Sequence, residues 1–569
     1  MQRAVAPTNA TALDLRLLLA SATLPRTVAL IAPLLVAGML LAVRLPHPLP
    51  RVPRAETRAA FAAARLALGT DVGQVPSRMP PSDPGAEEPT LILLPVLLAA
   101  LVFWPTPAQF FYREDLYHLY RAVNQPWPAL LLQQHAGHLY SAFSALVVAC
   151  HALFGMRADG WFAVLLALHL VNVLLLFRLL RRTTGSPQLA CLGALGWAVA
   201  PMHAEAMTWF VMSGHVLATT CILGVLASLV ASAGRPPGIA RGLAWILSLL
   251  VASTANGAGT AAALGLPFAA WLLLPPGAAR RWSVAVLATA WLPIVTVMLA
   301  SRAAGHLPGI VPGFTSGLPP PKHWPASLRL FSELLRHGVT GPLVGLALPH
   351  PSPRVAWLVA LAWLAAGAGA LRMAASSARR TTAGLLVVAL AVYGVTALAR
   401  GGLYALLARV AGEGGALARY HYLGTALLVA VTCQIVALLL CRWPLPRPVL
   451  RAAPFAATAV LLLAWSLTSW RLDHREIARD HLARMHRQIE AAAIAAAPPG
   501  GIALLTNQPT PGLGGLMGQA AFPGWAAVLA LTEPDGEIAG RHVLLVEPDV
   551  TARLLAATGR RTAGIVVVP

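Results

Sequence analysis

The feature that most constrains this chain is a recurring apolar block of about 17–21 residues, the length of helix that crosses a hydrocarbon layer ~30 Å thick. Such blocks fall near 27–43, 90–106, 160–179, 187–202, 215–233, 242–257, 259–275, 282–300, 355–372, 382–399, 421–441 and 452–470. A soluble domain covers its surface with roughly a quarter charged residues. Here 11% are charged and 57% hydrophobic, with mean hydropathy +0.68. The expected fold class is an α-helical polytopic membrane protein with about 11–12 transmembrane helices.

A net charge of +21 would suit a nucleic-acid binder, but its distribution does not. The arginines sit in short clusters between apolar blocks, and no basic run is interleaved with stacking aromatics. Lys322 is the sole lysine. The five cysteines, Cys150, Cys191, Cys221, Cys433 and Cys441, lie in apolar segments without a CxxC pair, so they read as small core residues. Arg3, Arg16 and Arg26 precede the first apolar run, and no A-x-A site follows it. That is not the pattern of a cleavable signal peptide.

Short arginine-rich loops mark the cytoplasmic side. With the blocks above as spans, Arg178–Arg181–Arg182, Arg235/Arg241, Arg280–Arg281, Arg372/Arg379/Arg380 and Arg442/Arg447/Arg451 all fall on one side. One further crossing would break that agreement. The run 139–156 (LYSAFSALVVACHALFGM) is therefore read as an in-plane helix on the outer face, its Ser141, Ser144 and His151 forming a wet stripe; the alternative is an ordinary span. Residues 107–159, 203–214, 301–354 and 400–420 then become exterior loops. The chain divides into an N-terminal segment 1–89 with one span and a cytoplasmic loop, a membrane domain 90–470, and a small soluble exterior domain 471–569.

Within the first exterior loop, FYREDLYHLY places Glu114 and Asp115 a few residues beyond a membrane exit. Charges near hydrocarbon are costly and are kept for a reason. A carboxylate there could accept the proton of an acceptor hydroxyl, or simply pair with Arg113 in water. His169 and Asn172 share one helix face and read as interhelical hydrogen-bonding groups. In RLFSELLRHG, Arg329 and Arg336 stand seven residues apart on one face, where they could clamp a phosphate by charge-assisted hydrogen bonds. Arg419, in ARYHYLG ahead of a span, is the other phosphate candidate. The tail begins as an amphipathic stretch, WRLDHREIARDHLARMHRQIEAAAIAA. It continues with IALLT, HVLLV and GIVVV between Pro/Gly turns, the pattern of short buried strands in a small α/β domain.

The order of these elements resembles the GT-C superfamily of multi-pass glycosyltransferases. It is most similar to the bacterial relatives of the transmembrane O-mannosyltransferases that carry TPR repeats. The matching positions are the acidic pair Glu114/Asp115, the turn Phe154–Gly155, His169/Asn172 on the following span, and Pro201, His203 and Glu205 at the next exterior turn. The R-Y-h-Y-L element at Arg419–Leu423 also matches. Leu139–Tyr140–Ser141 stands where the family has arginine–proline, Asn256–Gly257–Ala258–Gly259 where it often has lysine–glutamate, and no TPR array follows.

The resemblance implies a GT-C-like membrane domain in the inner membrane with an outward-facing site. The donor would be a polyprenyl-phosphate sugar and the acceptor a hydroxyl on a glycan, lipid or protein. Asp115, with Glu114, would serve as base in a single inverting displacement. His138, His203, Glu205, Arg329, Arg336, Arg419, His421 and Tyr422 would bind substrate, with Glu205 orienting the acceptor or a divalent cation. No other cofactor is implied. The rival readings are a polytopic transporter or lipid flippase, for which no internal repeat of spans is evident, and an inactive scaffold.

Overall fold

A computed structural model describes residues 88–468 apart from short breaks, the longest at 304–320, together with four strands between 502 and 568. All of these belong to the unit Gln74–Pro569. The apolar block at 27–43, the loop behind it and the amphipathic stretch at 470–496 lie outside the described residues.

The protein is a multi-pass helical membrane protein. Seven stretches among the described residues are long and apolar enough to cross a membrane: Leu91–Ala108, Ala158–Thr184, Phe210–Ala231, Ala278–Ser301, Pro353–Met373, Ser376–Gly401 and Ala418–Arg442. In chain order the helices are α1 (Glu88–Val102), α2 (Trp127–Leu132), α3 (Ser141–Phe154), α4 (Ala158–Thr184), α5 (Pro187–Ala198), α6 (Ala204–Thr208), α7 (Ser213–Ala231), α8 (Ile239–Ala255) and α9 (Gly257–Leu273). They continue as α10 (Ala278–Thr289), α11 (Trp291–Ala303), α12 (Trp324–Val344), α13 (Pro353–Met373), α14 (Ser376–Val410), α15 (His421–Arg442) and α16 (Arg447–Thr468). A two-strand hairpin, β1 (Gln134–His135) with β2 (His138–Leu139), joins α2 to α3.

Local chemistry sets the helix ends. α4 stops at Gly185 in the left-handed region (φ 74°), with Arg181 and Arg182 in its last turn, where they complement the helix dipole. Ser186 then caps α5 by accepting from the Leu189 N–H, with Pro187 at the first helical position. Asn256 breaks α8 from α9 and caps the latter through the Ala258 N–H.

The expected spans differ in length and continuity. The block at 187–202 is a helix of 12 residues, about 18 Å long, because Pro201 opens a 3-10 turn instead of extending it. The blocks at 242–257 and 259–275 are helices of 17 residues each, about 25 Å. The block at 282–300 is two helices, α10 and α11, meeting at Ala290.

α4, α5, α7 and α15 are buried nearly all round and form the centre of the bundle. The outer helices leave apolar side chains uncovered, among them Leu243 and Leu247 on α8, Leu292 and Leu299 on α11, Leu358 and Leu361 on α13, and Phe455 on α16. In water such a surface would be unstable; against lipid tails it is the expected one. α14, at 35 residues, packs along α9. A Cβ on Gly265 would lie 3.1 Å from the Ala391 Cβ, and one on Gly384 2.9 Å from Leu273, so glycine is what lets these two helices approach.

The wet stripe expected on α3 is not formed. Ser144 is buried beside Phe143 and Val147, and the Ser141 hydroxyl donates to the Leu131 carbonyl. The serines face protein, because this short helix packs onto α2, α8 and α7 through that side. In the tail, the three apolar runs do form strands. β3 (Ile502–Leu505) pairs in parallel with both β5 (Arg541–Leu545) and β6 (Ile565–Val568), and β4 (Glu537–Ile538) pairs antiparallel with β5. The sheet order is β4-β5-β3-β6.

Candidate functional site

The segment between α5 and α7 is a chain of short turns: a 3-10 turn at Pro201–His203, α6, an extended Trp209, and a 3-10 turn at Phe210–Met212 running into α7. The first N–H groups of such a helix have no intrahelical acceptor. Asp115 supplies one. Its Oδ1 accepts from the Val211 N–H at 2.6 Å and its Oδ2 from the Phe210 N–H at 3.3 Å, both buried. A carboxylate at a helix N-terminus is favoured in its ionised form. The turn is wedged as well as capped, since the Phe210 ring packs on Trp161, Phe162 and Phe143 at 5.0–6.5 Å.

Trp209, next to this anchor, carries the second feature. The Arg419 guanidinium lies 5.9 Å from the Trp209 ring centre and 5.3 Å from that of Tyr420, and its Nη1 is 3.9 Å from Glu205 Oε1. Glu205 and Arg419 remain partly open, with side chains 15% and 23% exposed. The second oxygen of Glu205 is buried and meets no hydrogen-bond partner among the described residues.

Arg400, near the end of α14, donates to His138 Nε2 on the hairpin. Room for the ring exists because residue 257 is glycine; a Cβ there would lie 2.8 Å from His138 Nδ1. Arg400 and Arg419, from different helices, both act electrostatically on His215 and Tyr420, whose rings stand 6.4 Å apart. Two cations thus act on the same pair of rings, and one of them lies beside Glu205.

A second polar group lies immediately inside. His169 Nε2 donates to the Ala198 carbonyl at 3.0 Å, which leaves Nδ1 to accept from the Tyr422 hydroxyl at 2.5 Å. Asn172 donates to the Val216 carbonyl at 3.0 Å and approaches the same hydroxyl at 3.4 Å. These bonds tie α4 to α5, α7 and α15, as expected for His169 and Asn172. Tyr422, expected at the substrate, is a buried member of this structural network.

His203 is fully buried in a box of His169, Trp197 and Tyr422 rings at 4.7–5.9 Å. Burial, with His169 nearby, holds its pKa well below the usual histidine range; the Trp197 carbonyl offsets this in part without a hydrogen bond of normal geometry. His421 is likewise buried, its Nδ1 3.1 Å from the Tyr393 hydroxyl.

α12 does not assemble the expected pair of arginines. Arg329 is exposed, although Ser327 and Leu330 on either side of it are buried. Arg336 is buried and donates to Glu333 and to His337 Nε2 at 3.2 Å. Seven-residue spacing puts both on one face, but burial changes along the helix. Burial, and then Arg336, holds the His337 pKa below its usual value.

Glu114 and Arg113 lie outside the described residues. Among the described residues no three His, Cys, Asp or Glu side chains converge as a metal site. Of the expected positions, Asp115, Glu205 and Arg419 meet one turn system, whereas His138 meets Arg400. Arg400, His215 and Tyr420 were not anticipated. Arg400 had a sequence signal, as a single charge at the end of an otherwise apolar block.

Chemically, the arrangement offers two guanidiniums for an anion, a carboxylate with an unused oxygen, and an aromatic surface beside both. Compared with family models, curated proteins and solved structures, the chain finds no match in any of the three.

Proposed function

We propose that the protein is a membrane glycosyltransferase of GT-C type, transferring a sugar from a polyprenyl-phosphate donor to an acceptor hydroxyl with inversion. The observation that carries this reading is the grouping of Arg419 with Glu205, Trp209 and Tyr420, with Arg400 acting on the same Tyr420 and Asp115 anchoring the turn that follows Trp209. A donor anchored in the bilayer delivers its phosphate at that depth.

In one displacement, a carboxylate takes the acceptor's proton, the acceptor oxygen attacks the anomeric carbon, and the lipid phosphate departs. The phosphate gains a negative charge as it leaves. Guanidiniums already held in place stabilise that charge more in the transition state than before it. The activated bond is in the donor lipid, so no nucleotide site is required. In this reading the membrane is the inner membrane and the site faces its exterior. The C-terminal strands belong to a small α/β domain on that side, and the acceptor is a glycan, lipid or protein.

The test is turnover by the purified full chain in nanodiscs. Polyprenyl phosphates carrying mannose, glucose or arabinose would be supplied with a membrane extract as acceptor source, and release of polyprenyl phosphate followed. Release coupled to a new glycoside is the expected result. Movement of an intact lipid between leaflets with no bond broken would instead favour a flippase.

A further inference from the structure

The site contains two carboxylates in different circumstances. Asp115 has both oxygens engaged by backbone N–H groups of one turn, and the turn is the start of a long helix. Protonation would weaken its hold on that helix N-terminus, and at 3% exposure Asp115 is nearly closed to an acceptor. A carboxylate bonded this way is a weaker base, because the charged form is the one being stabilised.

Glu205 differs in every respect. It sits on the five-residue α6, and its Oε1 faces Arg419 at 3.9 Å, beyond hydrogen-bonding distance. Its Oε2 has no hydrogen-bond partner among the described residues, and leaving a buried carboxylate oxygen so is costly. The side chain remains partly open, beside the Arg419 guanidinium that would hold the donor phosphate. A general base needs a lone pair free to meet the acceptor hydroxyl next to the leaving group. Of these two carboxylates, Glu205 is the one open to an acceptor.

We infer that Glu205 is the catalytic base and that Asp115 is a positioning residue, which fixes the Phe210–Met212 turn and through it Trp209, the ring over which Arg419 lies. The inference rests on the glycosyl-transfer reading above. In the step itself, the acceptor O–H bond breaks and its proton passes to the Glu205 carboxylate. The freed electron pair of the acceptor oxygen forms the bond to the anomeric carbon. The bond from that carbon to the phosphate oxygen breaks, and its pair leaves with polyprenyl phosphate between Arg400 and Arg419. The proton on Glu205 then passes to water or to the departing phosphate.

An acceptor that needs no deprotonation separates this role from a structural one. Wild type, Glu205→Gln and Asp115→Asn full chains in nanodiscs would be given the active polyprenyl-phosphate sugar with either a hydroxyl acceptor or azide anion. Glu205→Gln is expected to lose hydroxyl transfer by about 10²–10³-fold while still forming glycosyl azide at the wild-type rate. The acid limb of the wild-type pH–rate profile should be absent from what activity it retains. Asp115→Asn is expected to slow both acceptors alike.

Hydroxyl transfer surviving in Glu205→Gln, or lost equally with azide, would overturn the assignment while leaving the glycosyltransferase reading intact. Glu205→Asp, which keeps a carboxylate, guards against misfolding: it should recover part of the hydroxyl transfer, and no recovery in a monodisperse protein counts against the base. Wild type that transfers sugar to neither acceptor would defeat the reading itself, and the inference with it.

Discussion

Two polar clusters lie within a few residues of each other on the same helix start, and they are built on opposite plans. Tyr422 belongs to the inner one, where His169, Asn172 and two backbone carbonyls settle the direction of every bond in the chain. Tyr420 belongs to the outer one, where two guanidiniums act on one ring and a carboxylate oxygen of Glu205 has no hydrogen-bond partner among the described residues. The inner cluster carries no formal charge and joins four helices. The outer one gathers charge where helices end. In a low-dielectric interior a satisfied network rigidifies, whereas an incomplete one costs free energy. The incomplete cluster is therefore where a ligand has most to contribute.

If that contrast is right, the outer cluster should fail in activity and the inner one in stability. The largest effect is expected from Arg400→Ala or Arg419→Ala, each lowering sugar transfer by about 10²-fold or more with little change in thermal unfolding. Unfolding at much lower temperature with normal turnover would reverse their roles. Asp115→Asn keeps one acceptor oxygen but removes the charge from the helix N-terminus, and should cost about 2 kcal/mol of stability, read from denaturant midpoints in detergent.

His203 supplies a pH test. Its folded pKa lies below the unfolded one, so the unfolded state takes up the proton first and stability falls as pH drops from about 6.5 toward the folded value. His203→Phe, which suits the aromatic box, lacks this dependence. Relative to wild type it should gain up to ~1.4 kcal/mol per pH unit across that window, and a constant difference in unfolding temperature from pH 7.5 to 5 would refute it. Smallest is Tyr422→Phe, expected to cost ~1 kcal/mol and to leave the KM for the lipid donor unchanged. A large KM effect would return Tyr422 to the substrate.

How much of this was legible in the chain differs residue by residue. Asp115 and Arg419 stand out because a charge flanking an apolar block is conspicuous. His169 and Asn172 follow from helical spacing alone. Arg400 could not be tied to His138, because the two are 262 residues apart and neither segment carries a pattern naming the other. Spacing aligned Arg329 with Arg336 but is blind to how burial changes along α12. Apolar length alone also overstated the block at 187–202, where Pro201 starts a new turn and the real helix stops at Ala198. The serines of α3 looked like a solvated edge, yet a hydroxyl that finds a carbonyl is equally at home inside.

The length of α14 has a consequence for where the protein can work. At 35 residues it measures about 52 Å, well beyond a hydrocarbon layer of ~30 Å, and Arg400 lies about 36 Å from its first residue. A helix of that length acts as a ruler: the height of the Arg400 cation above the opposite membrane face is set by helix pitch and not by a loop. A bilayer of different thickness would leave the ruler unchanged and shift the lipid headgroup relative to its mark. Turnover should then peak in lipids of one acyl-chain length, making membrane thickness itself a determinant of activity.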